Sequence, residues 1–113
     1  MAMQLYCYRK WSTCAKARAW LASHGVEFLE RDLIANPLTV AEIVSIRDEI
    51  GDLIPLISKK SPKYRELQHG DLTEQQWIKE MSQEPRLIKR PIWRANDHIY
   101  IGFDPETWTQ ALT

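Results

Sequence analysis

Between Met3 and Asp32 the chain carries two short apolar and aromatic runs, M-Q-L-Y-C-Y and V-E-F-L-E-R-D, separated by a stretch of helical period. Met3–Tyr8 reads as a first strand and Val26–Asp32 as a second, by residue type and partial alternation. Between them Ala17, Trp20, Leu21 and His24 repeat at helical spacing, which predicts a helix over Thr13–His24. Ser12 or Thr13 is the expected cap for its first amides, and Gly25 the left-handed terminator. This order favours a parallel pair joined by a right-handed crossover.

The remainder extends the pattern. Thr39 and Glu42 form a capping box after Pro37, opening a helix through Glu49 that Gly51 ends. A short helical piece follows over Ser61–Leu67, and Thr73 with Gln76 caps a further helix through Ser82. Ile92–Ala95 and His98–Ile101 read as a hairpin turning at Asn96-Asp97, and Asp104-Pro105 opens a terminal helix. The 113 residues show no repeat, linker or low-complexity segment, which predicts one domain over residues 1–113.

Composition narrows the function. Fifteen acidic and fifteen basic residues give a formal net charge of zero, which argues against a nonspecific nucleic-acid binder. No apolar run approaches the roughly 20 residues that cross a bilayer. Met1–Tyr8 lacks the basic-then-apolar order of a signal peptide. Two cysteines are too few for a secreted disulfide scaffold, so a cytoplasmic protein is expected. His24, His69 and His98 lack the spacing of a metal site, and none is expected. The basic stretch Lys59-Lys60-Ser61-Pro62-Lys63-Tyr64-Arg65 reads as a solvated face.

The run from Leu5 to Leu21, L-Y-C-Y-R-K-W-S-T-C-A-K-A-R-A-W-L, places Cys14 in the first turn of a helix. Unpaired N–H groups and the positive dipole end favour thiolate there. Leu5-Tyr6, Cys14, Lys16–Leu21, Phe28, Glu30-Arg31, Pro37-Leu38, Glu42-Ile43 and Lys89–Ile92 together resemble the Spx family of RNA-polymerase regulators and, more broadly, the arsenate-reductase family. The resemblance runs along essentially the whole chain. It implies a thioredoxin-like α/β fold with a helical insertion, a mixed four-stranded sheet flanked by helices.

Spx-like proteins carry C-x-x-C in this loop, and the alignment sets Trp11-Ser12-Thr13-Cys14 on that motif. The first position, nucleophilic in the reductases, is therefore Trp11. An indole neither ionises near neutral pH nor forms a covalent arsenic or disulfide intermediate. Cys7 is either a small buried apolar residue or a redox partner for Cys14. Arg90-Pro91 matches the family's Arg-Pro, whose proline is characteristically cis. The resemblance places Arg90 near the thiol loop as an anion-binding fork; a surface ion-paired arginine is the plainer reading. A second family arginine falls on Lys60, and a third near Ile101-Gly102-Phe103 is missing. These losses weigh against arsenate reduction.

In Spx the contact with RNA polymerase, made to the C-terminal domain of its α subunit, centres on a glycine after the middle helix. Here Arg47-Asp48-Glu49-Ile50-Gly51-Asp52 covers that region, making Arg47, Gly51 and Asp52 candidate partner residues; a helix-capping glycine and a solvated arginine are the alternatives. The resemblance implies a regulator that binds the polymerase. A monomer is expected, with no sequence-specific DNA binding alone, no membrane contact and no cofactor, unless glutathione serves a redox role. The rival is a thiol oxidoreductase using Cys14 with glutathione or another thiol.

Overall fold

The computed structural model describes residues 3–8, 10–95 and 98–112. The chain divides into two compact units, residues 1–33 with 90–113 and residues 34–89.

The first unit is built on the expected strand–helix–strand. Strands β1 (Met3–Cys7) and β2 (Phe28–Asp32) pair in parallel across helix α1 (Ser12–Ser23). β3 (Ile92–Ala95) adds to β1 antiparallel, and β4 (His98–Ile101) to β3, for a mixed sheet of order β2-β1-β3-β4. Asn96 and Asp97, the expected turn, lie outside the described residues. A terminal helix, Pro105–Ala111, starts at Asp104, whose Oδ1 accepts from the Glu106 N–H at 3.2 Å.

Alternation along the strands decides what the core contains. Leu5 and Cys7 point to one face of β1, and the register sets Leu5 against Trp93, with Ala95 on the same face of β3. Cys14, Ala17 and Leu21, at positions i, i+3 and i+7, form the inward stripe of α1. These seven side chains and Trp108 of the terminal helix make one buried cluster. Trp93 and Trp108 sit with ring centroids 4.7 Å apart, and the Trp108 indole N–H donates to the Gly102 carbonyl at 3.2 Å. Trp20 meets Trp93, Phe103 and Trp108 edge-on.

Two boundaries differ from the expected ones. The cap of α1 is Trp11, not Ser12 or Thr13, and no side chain bonds there. The Trp11 carbonyl already accepts from the Cys14 and Ala15 N–H groups at 3.1 Å, so Ser12 and Thr13 are drawn into the first turn. β2 starts at Phe28 because the Val26 N–H turns back to the Leu21 carbonyl (3.0 Å) and the Gly25 N–H to Ala22 (3.1 Å). That closing pattern needs the positive φ of 67° that Gly25 supplies.

The second unit holds α2 (Val40–Ile50), α3 (Pro62–Leu67) and α4 (Glu74–Gln83). Both capping boxes form: Thr39 Oγ1 accepts from the Glu42 N–H at 3.1 Å, and Thr73 Oγ1 from the Gln76 N–H at 3.2 Å. Ile43 and Ile46 of α2, and Ile78 and Met81 of α4, are buried. Among the described residues no helix is long and apolar enough to cross a membrane.

Trp108→Ala is expected to lower stability by about 3–5 kcal/mol, the cost of emptying a fully buried aromatic site. Leu29→Ala, at a side chain 62% exposed on β2, should change it by less than about 0.5 kcal/mol. Urea unfolding of both variants checks the pair.

Candidate functional site

The end of β1 and the start of α1 bring together the residues that could carry chemistry. Cys7 is the last residue of β1 and faces the helix; Cys14 lies on the inward stripe of α1, in its first turn. Their α-carbons are 5.8 Å apart and their sulfurs are joined in a disulfide. This separation lies within the usual disulfide range. Both residues are fully buried. The Tyr8 N–H points at Cys14 Sγ from 3.4 Å. Once the bond is broken, that donor and the helix N-terminus would both favour a sulfur anion at Cys14 over one at Cys7.

Above this pair sits a second arrangement. The register pairs Tyr6 with Ile92, so stepping forward from Tyr6 and back from Ile92 leads to the same end of the sheet. Arg90 therefore arrives beside the loop that follows β1. Its guanidinium carbon lies 3.7 Å from the centroid of the Trp11 ring, a cation–π contact. Such contacts are worth roughly 0.5–2 kcal/mol depending on desolvation. Tyr8 also meets Trp11, the two rings edge to face with centroids 5.1 Å apart. Trp11 also packs against the buried cluster that contains both cysteines. Arg90-Pro91 is cis, and the buried Pro91 accepts the Gly102 N–H at 2.8 Å through its carbonyl.

The other candidates lie in the second unit. Lys60 is exposed in the turn before α3. Gly51 caps α2 at φ +83°, its N–H on the Arg47 carbonyl at 2.7 Å. Asp52 turns back to accept the Ile54 N–H at 3.1 Å. Arg47 bonds Glu74 of α4 and, at 2.9 Å, Asp48. These bonds, Glu74 first, hold its guanidinium above the ordinary arginine pKa. Arg18 of α1 is raised likewise by its bond to Glu30 of β2, one contact of which is 2.7 Å. Tyr8, and Glu74 as the partner of Arg47, were not singled out by sequence. The signal available for Tyr8 was its place between Cys7 and the Trp11 loop.

A family model described as ArsC family matches residues 6–111. The chain belongs to that family. Global transcriptional regulator Spx 2 of Lactococcus lactis subsp. lactis (strain IL1403) is 32% identical over 105 residues, covering 90% of this chain and 80% of that regulator. The uncharacterized protein YusI of Bacillus subtilis (strain 168) is 28% identical over 115 residues, covering 97% of this chain and 98% of YusI. A solved structure named YFFB superposes with a TM-score of 0.89 at 28% identity, covering 99% of this chain and all of that one. The ArsC family match and the sheet order agree on a thioredoxin-like α/β class, with the mixed sheet flanked by helices. Cys14 is thus paired with a residue of the strand, not with one of the loop that follows it.

Gly51→Ala is expected to cost about 1–2 kcal/mol from backbone conformation alone, since an added Cβ meets nothing within 4 Å. A lowered midpoint in urea with unchanged slope checks it.

Proposed function

We propose that this chain is a regulatory protein that works by binding a protein partner, and that the partner is RNA polymerase, met at the C-terminal domain of its α subunit. The observation that carries this reading is Trp11 under Arg90. Where the family resemblance calls for an ionisable nucleophile, the chain holds an indole, and the arginine suited to an oxyanion lies over its ring. Neither group is set up to attack or bind arsenate in that state. Identity to proteins named as global transcriptional regulators supports the same direction.

The contact surface in this reading is the end of α2, with Arg47, Gly51 and Asp52. Asp48, Glu49 and Asp52 are exposed there, and Arg47 is held in place by Glu74. The partner surface would then be basic around a site for one arginine. Titration of the chain against that isolated polymerase domain tests this. Binding tighter than about 50 μM is expected, because a specific contact of this kind is worth at least about 6 kcal/mol. The double variant R47M/D52K should weaken it about tenfold or more. No detectable binding at that concentration, reduced or oxidised, removes this partner.

A second reading is favoured by the Cys7–Cys14 disulfide: a thiol oxidoreductase in which Cys14 exchanges with glutathione or another thiol. It predicts turnover of arsenate or of a mixed disulfide that Cys14→Ser abolishes. Unchanged turnover in Cys14→Ser would defeat it.

A further inference from the structure

We infer that Trp11, clamped by Arg90, is a gate on the Cys7–Cys14 disulfide and sets the rate at which external thiols reach it. The inference rests on the disulfide and on the reading that it exchanges with thiols.

Exchange requires a thiolate to approach a sulfur directly. Both cysteines are fully buried, so no approach exists until something moves. The segment from Cys7 to Cys14 is closed into a ring by the disulfide, and its fixed parts are unequal. Cys7 is held by the β1 pairing and by the Leu33 N–H on its carbonyl at 2.9 Å. Cys14 is held by the helix and by packing with Ala17 and Leu21. Trp11 is different. It stands outside the helix as its cap, is only half-buried, and no side chain bonds at that cap. Among the described residues, its ring is held by the packing against the cysteine-containing cluster, by Tyr8 and by the Arg90 guanidinium. Its own N–H donates to the Tyr8 carbonyl at 3.1 Å. Swinging Trp11 outward therefore costs ring contacts and spares the strand pairing and the core beneath. An opening of this kind is local, unlike one that breaks the sheet or the core.

Behind the gate, a dithiol's thiolate attacks Cys7 Sγ and the S–S bond breaks. Cys14 leaves as thiolate toward the Tyr8 N–H and the helix N-terminus, then takes a proton. The second thiol of the reagent, as thiolate, attacks the mixed disulfide and releases Cys7, which also takes a proton. The protein disulfide is reduced by two electrons and the dithiol is oxidised to its cyclic disulfide.

The test is the rate of reduction by dithiothreitol of diamide-oxidised, folded protein, followed by alkylation and mass spectrometry. Trp11→Ala should speed reduction about tenfold or more, the factor equivalent to about 1.4 kcal/mol. Arg90→Gln, which leaves the loop sequence intact, should speed it about threefold or more. Arg90→Lys should resemble Arg90→Gln, because lysine keeps the charge and loses the planar stack. A local gate also predicts rates nearly independent of urea well below the unfolding transition. If Trp11→Ala and Arg90→Gln reduce at the parent rate, the gate is refuted while the disulfide stands. If their acceleration rises with urea as steeply as global unfolding, the effect is lost stability and the gate is again refuted. Two free thiols in the denatured, diamide-treated parent protein would overturn both the disulfide and the gate.

Discussion

The inward stripe of α1 is the constraint from which the first unit follows. Cys14, Ala17 and Leu21 lie on one side of the helix, and Leu5, Cys7, Trp93 and Ala95 on one face of the sheet. The small Ala17 in the middle lets helix and sheet approach closely, and the aromatic bulk of Trp93 and Trp108 fills the space beside it. Moving α1 by one residue would turn that stripe away from the sheet and bring Lys16 or Arg18, depending on direction, into the place of Ala17, at a cost no surface contact could offset. The position of the helix start is thus decided by burial well away from it, and the cysteine in its first turn is carried along.

From that placement the chemistry of the loop follows. A thiol at a helix N-terminus facing solvent is poised to react; the same residue on the inward stripe meets the end of β1 instead. Cys14 therefore finds Cys7, and the surface position beside it passes to Trp11. An indole there has no acid–base function, but it offers a broad π-face to a cation. Arg90 is brought to it by the antiparallel pairing of β1 and β3. The result is a buried disulfide with Trp11 packed against its cluster and Arg90 over the indole, an arrangement poorly suited to attacking an oxyanion.

The second unit shows a different use of charge. Arg47 on α2 reaches Glu74 at the start of α4 as well as its neighbour Asp48, so one side chain ties two helices whose Ile43, Ile46, Ile78 and Met81 are buried. Exposed pairs of this kind add little stability. Their effect is to fix where the guanidinium points, which matters for a residue proposed to meet a partner.

Much of this was legible in the sequence, and the reason is range. Strand alternation, helical period, the two Thr-led capping boxes and the glycine terminators are read from neighbours a few residues apart; the boxes and terminators formed where expected, and the strands and helices formed with some shifted ends. The cap of α1 was misplaced by one residue because Ser12 and Thr13 have the capping chemistry, while the burial of Cys14 set the helix phase. Sequence also determined that no second cysteine stands at Trp11, and hence that a thiol pair within the loop is ruled out. Only the tertiary structure decided that Cys14 meets Cys7, that Arg90 covers Trp11, and that Arg47 is engaged by Glu74. Each of these depends on where a strand or helix end arrives relative to another, and sheet register and core packing set that position after the local rules have been satisfied.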